Sequence, residues 1–244
     1  MYKRKKICQV IAAFNEEEHI SGVVQEVPKF VDLIVAVDDC STDGTHSILK
    51  KIKDPRLLIV RHNVNQGVGG TVVSGHKVAI AKGMDITVAT PGDGQTDPKY
   101  MPALLDAIID EGYDYAKGNR FSSLGTLKGM PPLRILGSAL LIFPNAFASG
   151  YWNLMDPMHG YTALKVSTLK KLDLDKIGKR YEFENDMLIK LNIIGARVKE
   201  VPIPARYGTE KSKIRLASYI PDTSLFLLKG FFYRIKEKYV KRLL

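Results

Sequence analysis

The sequence predicts an α/β fold in which a mostly parallel sheet is flanked by helices. Short apolar runs rich in β-branched residues alternate with stretches that have helical periodicity, and polar clusters follow several of the apolar runs. The chain has 244 residues, of which 45% are hydrophobic, and this is enough for one sizeable core. We therefore expect one main domain.

Four apolar runs in the first part of the chain are each bounded by polar turn residues, which is the pattern of a buried strand. They cover residues 7–14, 33–37, 57–60 and 86–89. Helical spacing of apolar residues lies between and after them, at 16–27, 45–52, 71–81 and 101–111. The alternation of strand and helix predicts parallel strands joined by right-handed crossovers. The segment YDYAKGNRF then looks like a further strand, after which the pattern becomes irregular.

Residues 135–155 contain no charged side chain. This length reaches the roughly 20 residues that span a bilayer, but polar residues dilute the stretch and Pro144 should interrupt a helix. Three interpretations stay open: a spanning helix, a buried core helix, and a helix or helix pair on a membrane surface, which we favour.

Residues 225–244 combine aromatic and aliphatic side chains with lysines and arginines. A basic amphipathic helix of this kind suits an anionic lipid surface, where each nearby Lys or Arg contributes roughly 1 kcal/mol. The alternative is a helix that packs on its own domain with a solvated basic face. We expect a main domain over residues 1–217, including an apolar interface segment at 132–155, and a C-terminal helix over 218–244.

The formal net charge of +10 predicts attraction to polyanions, which include nucleic acid, anionic membranes and phosphorylated ligands. Cys8 and Cys40 have no metal-site spacing and are expected as reduced thiols. The basic N-terminus lacks the long apolar stretch of a signal peptide. We expect a cytoplasmic protein that is peripheral on the cytoplasmic face of a membrane.

Acidic clusters follow three of the four predicted strands. They are Phe14-Asn15-Glu16, the segment DDCSTDGT at 38–45, and PGDGQTD at 91–97. Because ligands bind beyond the carboxyl ends of parallel strands, these clusters should meet at one edge. Carboxylates gathered there repel one another unless they hold a cation or accept hydrogen bonds, so a metal-dependent nucleotide site is expected. Asp43 and Asp97 are better explained as a helix cap and a turn residue.

A glycine cluster, Gly67, Gly69 and Gly70, precedes the third predicted helix and would let backbone approach a phosphate. It is not a dinucleotide fingerprint, which would need GxGxxG directly after the first strand, where the chain has AAFNEEE. An NAD-binding enzyme is therefore disfavoured.

Eight motifs occur in the order AAFNEE, VAVDDCSTDGT, NQGVGG, GDGQTDP, GNRF, DPMHGY, YEFENDM and EVPIPARYGTEKSK. In this order and over residues 7–213, the chain resembles the family-two glycosyltransferases, and most of all dolichol-phosphate mannose synthases and related polyprenyl-phosphate glycosyltransferases. The resemblance implies the GT-A fold, a Rossmann-like sheet flanked by helices, with amphipathic helices at a membrane surface.

The resemblance also implies roles for individual residues. Donor nucleotide-sugar binding falls to Ala12, Phe14, Glu16, Asp38, Asp39, Gly67, Asp93, Gln95, Arg206 and Lys213. Asp93 and Gln95 would hold a divalent cation, Mg²⁺ or Mn²⁺, that bridges the diphosphate. Pro91 stands where the family often has another acidic residue. The loop RYGTEKSK has one extra residue, and of Lys211 and Lys213 we favour Lys213 for the phosphate contact, with Ser212 beside it.

The acceptor phosphate is expected at Arg120 and Arg134, with Ser138 nearby, because a guanidinium can hold phosphate oxygens in a bidentate manner. Asp156 and Gly160 match an element beside the donor sugar, and Glu184 and Asp186 match an acidic segment on a following helix. The residues expected to take part in catalysis are Asp93, Arg120, Arg134, Asp156 and Asp186.

The implied reaction is an inverting transfer of a hexose, with mannose favoured, to a polyprenyl or dolichyl phosphate. The expected donor is GDP-mannose or a UDP-sugar. Two alternatives remain: a soluble family member that glycosylates a saccharide or protein with Asp156 or Asp186 as base, and a non-catalytic basic module that binds membrane or nucleic acid. We expect no nucleic-acid partner.

Overall fold

The computed structural model describes residues 1–123, 132–204 and 216–241, apart from the side chains of 132–134, 138 and 216–220. Its sheet has seven strands in the order β3-β2-β1-β4-β6-β5-β7. The strands are β1 Ile7–Ala13, β2 Leu33–Asp38, β3 Leu57–Arg61, β4 Ile86–Pro91, β5 Tyr115–Asn119, β6 Thr162–Lys165 and β7 Val198–Pro202. The α/β fold predicted from the sequence is confirmed.

Helices cover both faces of the sheet. They are α1 Ile20–Gln25, α2 Thr45–Lys51, α3 Gly67–Ala81, α4 Met101–Ile109, α5 Pro132–Ser149, α6 Val166–Leu169, α7 Phe183–Ile193 and α8 Leu216–Ile235. Short 3₁₀ turns lie at Pro98–Tyr100 and Leu174–Lys176, and α8 continues into a π-helical turn at Lys236–Val240.

The four predicted strands of the first part of the chain form where expected, and two of the four predicted helices start at a different residue. Helix α1 starts at Ile20 rather than at residue 16, and the amides of residues 15–17 donate to the side chains of Ser41, Thr45 and Asp43. Helix α3 starts at Gly67, four residues before the predicted 71.

One strand runs against the others. Strand β6 pairs antiparallel with both β4 and β5, whereas β1 pairs in parallel with β2 and β4, and β5 in parallel with β7. The carboxyl ends of the parallel strands therefore lie at the same edge as the amino end of β6. Loops from distant parts of the chain meet at that edge.

The core has two layers, one on each side of the sheet. One contains Ile20, Leu49, Met101 and Leu104 from α1, α2 and α4, and the other contains residues of α3, α6 and α7. Helix α3 lies very close to β1, since a Cβ built on Gly75 would be 2.1 Å from Cγ1 of Val10. Any larger residue at position 75 would push the helix off the sheet.

Helices α5, α7 and α8 pack together through a small apolar cluster of Ala148, Ile189 and Leu227. Polar contacts reinforce the packing, as Arg234 donates to the carbonyls of Ala148 and Phe147, and Lys238 donates to Asn192. The C-terminal helix thus packs on its own domain through one face, as in one of the two alternatives drawn from the sequence. The expected division at residue 217 falls within the first turn of α8.

The other sides of α5 and α8 carry exposed apolar side chains. On α5 they recur at helical spacing and form one stripe: Leu136, Leu140, Phe143 and Phe147, which are 57%, 57%, 68% and 43% exposed. Trp152, after the helix, packs edge-on against Phe143 and Phe147. Leu225, Leu228 and Phe232 are exposed on α8. In the part of the chain that the structure describes, no helix combines the length and apolar character needed to cross a bilayer.

Candidate active site

Two of the acidic clusters interlock at the carboxyl ends of β1 and β2. Asn15, with a φ of +56°, accepts from the amide of Thr42 at 2.9 Å and donates its own amide to Ser41 Oγ at 3.0 Å. Phe14 lies beside this junction with 39% of its surface exposed. The first motif therefore presents an aromatic ring at the rim of the sheet.

The turn role predicted for Asp97 is confirmed, and Asp43 binds the first turn of α2 from the position before its N-cap residue, Gly44. Asp43 Oδ1 accepts from the amide and hydroxyl of Thr45 at the start of α2. Asp97 Oδ1 accepts from the amide of Lys99 at the start of a 3₁₀ turn. Both carboxylates stabilise helical ends.

Asp38 is fully buried at the end of β2. Its Oδ1 accepts from the amide of Ser41 at 2.9 Å, and its Oδ2 lies 3.3 Å from Nε of Arg61 and 3.2 Å from Nδ1 of His46. Arg61 has 46% of its side chain exposed, so it links the buried carboxylate to the surface.

Asp39 is held by the protein on both of its carboxylate oxygens. Oδ1 lies 2.6 Å from Nδ1 of His62 and accepts from the amide of Gln66 at 2.8 Å, and Oδ2 accepts from the amide of Gly67 at 2.8 Å. Nε2 of His62 lies 2.9 Å from Oγ of Ser74. Asp39, which is more than 25 residues earlier in the chain, thereby caps the N-terminus of α3.

This cap changes the interpretation of the glycine cluster. The amide of Gly67, which was expected to face a phosphate, donates to Asp39 instead. The neighbouring glycines serve packing: a Cβ on Gly69 would lie 2.3 Å from the carbonyl oxygen of Gly178, and the amide of Gly70 donates to Lys179. The carboxylate of Asp39 thus occupies this end of α3 in the structure, and the donor-binding role expected for Gly67 stays a prediction.

Asp93 and Gln95 form a tight turn after β4. The amide of Gly92 donates to Ala12 at 2.8 Å, which sets this turn against the end of β1. Gly94 has a φ of +74°, and the amide of Gln95 donates back to Asp93 Oδ1 at 2.9 Å. The turn therefore lies beside Ala12 and Ala13 at the end of β1.

The metal site was expected at this turn. Among the described residues, no group of three or more His, Cys, Asp or Glu side chains is placed to hold an ion. A carboxylate and an amide oxygen fit a cation that takes most of its ligands from water and from the phosphates of a bound nucleotide. They do not fit an ion enclosed by protein ligands alone.

Arg120 and Asp156 form a buried bidentate ion pair where β5 ends and the loop before β6 begins. Nε of Arg120 lies 2.7 Å from Oδ2 of Asp156 and Nη2 lies 2.8 Å from Oδ1, and the Arg120 amide also donates to Oδ2 at 2.9 Å. Burial acts to raise the pKa of Asp156, but the hydrogen bonds and charge of Arg120 outweigh it and hold the pKa below its usual value. Asp156 is therefore a weak proton acceptor.

Two further charged residues surround this pair. Nζ of Lys117, with none of its surface exposed, donates to the carbonyl of Asp156 at 2.6 Å. Burial lowers the pKa of Lys117 to about 8, against the attraction of the nearby carboxylates. Glu200 on β7 accepts from the amides of Met155 and Asp156. Burial raises the pKa of Glu200 as well.

The acidic segment of α7 divides its two carboxylates between different environments. Asp186, expected to be catalytic, accepts from the amide of Gly178 at 2.7 Å and pairs with Lys190. Glu184 instead lies within electrostatic reach of Lys117 and Arg120, and burial raises its pKa to about 7. Residues two apart on a helix lie about 200° apart around its axis, so one of the two faces the charged cluster. The structure places Glu184 there instead of Asp186.

Several expected site residues fall outside what the structure describes. They are the side chains of Arg134 and Ser138, and the residues Arg206, Lys211, Ser212 and Lys213. Their roles stay predictions. Lys117, His62 and Glu200 were not singled out from the sequence, although Lys117 stands within the GNRF neighbourhood and Glu200 opens the EVPIPAR motif. Lysine in the middle of a strand between apolar neighbours was the available signal.

Comparison with known proteins agrees with this arrangement. Residues 8–173 match the family described as Glycosyl transferase family 2. The UDP-N-acetylglucosamine–dolichyl-phosphate N-acetylglucosaminyltransferase of Methanococcus voltae is 31% identical over 95% of each chain. The undecaprenyl-phosphate mannosyltransferase of Micrococcus luteus is 30% identical, over 81% of this chain and 82% of that protein.

The fold is also found among solved structures. The glucosyl-3-phosphoglycerate synthase of Mycobacterium tuberculosis, in complex with Mn²⁺, uridine diphosphate and phosphoglyceric acid, superimposes with a TM-score of 0.68. The match covers 95% of this chain and 78% of that one. At 18% identity it supports a shared fold and nothing more specific. With the family match spanning more than half of the chain, the protein belongs to glycosyl transferase family 2 and is a glycosyltransferase with the GT-A fold.

Proposed function

We propose that the protein is an inverting glycosyltransferase that moves a hexose from a nucleoside diphosphate sugar to a polyprenyl or dolichyl phosphate at a membrane surface. The two relatives described above are named for transfer to dolichyl phosphate and to undecaprenyl phosphate. The observation that carries the proposal is the exposed apolar stripe of α5, which begins shortly after Arg120 in the chain.

The stripe suits a lipid surface because four large apolar side chains face outward from one helix whose opposite side is buried. Leu141, Ala146 and Ala148 fill that buried side. The exposed residues of α8 extend the same kind of surface, and Lys229, Lys236 and Lys241 are exposed along that helix and the turn after it. Apolar side chains with basic neighbours are the pattern of a helix that lies on an anionic membrane.

A phosphate acceptor also agrees with the lowered pKa of Asp156, because such an acceptor needs no general base. A phosphate monoester has a second pKa near 6, so it is mostly ionised at neutral pH and needs positioning more than deprotonation. Asp156, expected as a base in the alternative reaction, has a lowered pKa and is bound on both oxygens by Arg120. Arg120, held in place by Asp156, is proposed to meet the acceptor phosphate together with Arg134 and Ser138.

The donor is proposed to lie along the edge formed by the ends of β1, β2 and β4. Phe14 offers an exposed ring for the base, and Asp38 with Arg61 lies where the base and ribose would be read. Asp93 and Gln95 are proposed to hold a divalent ion together with the donor's diphosphate, with Mg²⁺ and Mn²⁺ as candidates. Such an ion neutralises charge on the leaving diphosphate. Arg206 and Lys213 are proposed to close over the same group.

The experiment is a transfer assay that pairs two donors with two acceptors. UDP-N-acetylglucosamine and GDP-mannose match the sugars named in the two relatives, and mannose is the sugar expected from the sequence. Each radiolabelled donor is incubated with a short polyprenyl phosphate or with a soluble saccharide, and the product is separated by organic extraction. Label in the organic phase supports the proposal. Label found on the saccharide alone contradicts it.

A second candidate function rests on Glu184. Its pKa of about 7 suits a general base, and a hydroxyl acceptor would need one. A glycosyltransferase that acts on a saccharide or protein would therefore use Glu184 rather than Asp156 or Asp186. The same assay decides, because loss of transfer in Glu184→Gln with a hydroxyl acceptor, but not with a phosphate acceptor, would favour this candidate.

A further inference from the structure

Glu200 ties together two loops that are far apart in the chain. Its Oε1 accepts from the amide of Asp156 at 2.6 Å and from that of Met155 at 3.0 Å. Its Oε2 accepts from the amide of Met155 at 2.9 Å and from Nδ2 of Asn119 at 2.6 Å. One carboxylate thus joins the end of β5 to the loop that precedes β6.

Asp156 is held from both ends of its backbone as a result. Glu200 binds its amide and Lys117 binds its carbonyl oxygen, so the residue has little freedom to rotate. Its carboxylate then grips Arg120 with both oxygens. The orientation of the Arg120 guanidinium is therefore set through Asp156 by Glu200 and Lys117, neither of which was expected from spacing in the sequence.

The charge of Glu200 matters beyond the tie itself. Lys117, Arg120 and Asp156 are almost completely buried, with 0%, 7% and 1% of their surface exposed. Two cations and a single anion would leave an unbalanced buried charge, and the carboxyl groups of Glu200 and Glu184 lie near enough to Lys117 to offset it. Neutral groups often stabilise a fold as well as a buried ionic cluster does, so such a cluster is weak evidence for stability alone. Its place beside the proposed acceptor site points to the reaction.

We propose that Glu200 is a positioning residue for sugar transfer: by holding the amides of Met155 and Asp156 and the side chain of Asn119, it fixes the Asp156–Arg120 pair in the orientation that receives the acceptor phosphate. The inference rests on the proposed function and names the residue that makes its acceptor site rigid. Glu200 itself touches neither substrate.

The Asn119 contact offers a swap that tests this. In Glu200→Gln, Oε1 can still accept from the two backbone amides, but Nε2 meets Nδ2 of Asn119, so two donors face each other. In Asn119→Asp, two carboxylates face each other at the same place. The double variant restores a donor and an acceptor with the same net charge. The carboxylate introduced by Asn119→Asp can also keep accepting from the amide of Phe121, as Asn119 Oδ1 does at 2.6 Å.

Each single variant is expected to lower kcat for transfer to a polyprenyl phosphate by about ten- to a hundredfold, the usual effect of losing a hydrogen bond to a charged group. KM for the donor should change less than about twofold, because the donor site lies on other strands. The double variant should recover most of kcat. The matched control is Glu111→Gln. Glu111 is an exposed carboxylate that pairs with Lys199, the residue next to Glu200 on β7, and its replacement should leave transfer normal.

A second readout is independent of turnover. Nε–H of Arg120 donates to a buried carboxylate, so it should give a slowly exchanging ¹⁵N NMR signal, assigned by its absence in Arg120→Lys. The signal should disappear or shift in each single variant and return in the double variant. Single variants that keep both the signal and kcat would overturn the proposal, as would a double variant that regains stability without transfer.

The two readouts separate this inference from the proposed function. If the wild-type protein transfers sugar to no lipid phosphate, the proposed function is lost. In that case an unchanged Arg120 signal in Glu200→Gln would overturn the positioning role too, whereas a lost signal would keep Glu200 as the residue that orients Arg120 for another acceptor.

Discussion

Arg234 of α8 reaches the last turn of α5, where its Nε lies 2.8 Å from the carbonyl oxygen of Ala148. Its Nη2 lies 3.1 Å from the carbonyl oxygen of Phe147, and the guanidinium sits over the ring of Phe231. The last carbonyls of a helix lack intrahelical partners and carry partial negative charge, which a cation satisfies. The two outer helices are thus joined by a buried charge-assisted contact.

Replacement of Arg234 by methionine should lower the free energy of unfolding by about 1.5 to 3 kcal/mol, because it removes hydrogen bonds from a charged group and leaves carbonyls unpaired. Urea denaturation measures the change. Lys236→Met, at an exposed position just beyond α8, is the control and should differ from wild type by less than about 0.5 kcal/mol. Equal losses in both variants would contradict the capping role.

The apolar stripe of α5 should bind anionic vesicles. Leu140→Ser and Phe143→Ser together are expected to weaken sedimentation with liposomes by at least about tenfold, since burying each such side chain is worth about 1.5 to 3 kcal/mol. Both residues are exposed, so the melting temperature should hold. Val64→Ser removes an exposed apolar side chain from the loop between β3 and α3 and is the control.

Deletion of residues 225–244 would be a poor test of the same idea. It would remove Leu227 and Arg234, which pack against α5 and α7, and would weaken the fold together with the surface. If the double serine variant and wild type sediment equally, the stripe is not the membrane contact.

Asp93→Ala should abolish the part of sugar-nucleotide binding that depends on a divalent cation, because Asp93 is the carboxylate of the turn after β4. Thermal stabilisation by the donor, measured with Mg²⁺ or Mn²⁺ and with EDTA, reports this directly. Asp97→Ala, in the same loop, removes a turn cap and should keep the metal effect. A donor-induced shift that is unchanged by Asp93→Ala would remove Asp93 from the metal site.

Stability should depend on pH through Glu184. Its pKa is raised to about 7, so between roughly pH 4.5 and 7 the folded state binds more protons at this group than the unfolded state does. The contribution of Glu184 to stability therefore falls as pH rises through that window. Glu184→Gln should gain stability relative to wild type between about pH 5 and pH 8, as measured by urea denaturation in steps of about one pH unit.

The control for that series is Glu18→Gln, which removes one negative charge at an exposed position. A constant difference between Glu184→Gln and wild type at every pH would contradict the raised pKa of Glu184.

The first part of the fold was predictable because its signals are local. Val10 and Ile11 lie within a run of consecutive apolar residues that reads directly as a buried strand, and residues 101–111 have plain helical spacing. The irregular stretch after residue 121 hid β6, whose four residues pair with strands more than forty positions away. Short strands defined by distant partners leave little periodic pattern in the sequence.

The candidate site was predictable to the level of motifs and not to that of contacts. The order of the motifs predicted that Asp93, Arg120 and Asp156 belong to one site. Their spacing could not reveal that Arg120 and Asp156, 36 positions apart, bind each other. The phase of α7 was equally hidden, because buried residues occur all around that helix. Gly67 looked like a phosphate loop because the carboxylate that caps it, on Asp39, comes from a different strand.

The packing of α8 on α5 bears on how the chain is made. Synthesis proceeds from the N-terminus and early segments fold first, so α5 is complete before α8 exists. Until Leu227 and Arg234 arrive, the inner side of α5 around Ala148 is uncovered while its outer stripe is already present. A nascent chain at this stage is apolar on both sides of one helix. It would therefore be the form most prone to aggregate or to be held by a chaperone, and the arrival of α8 relieves that exposure.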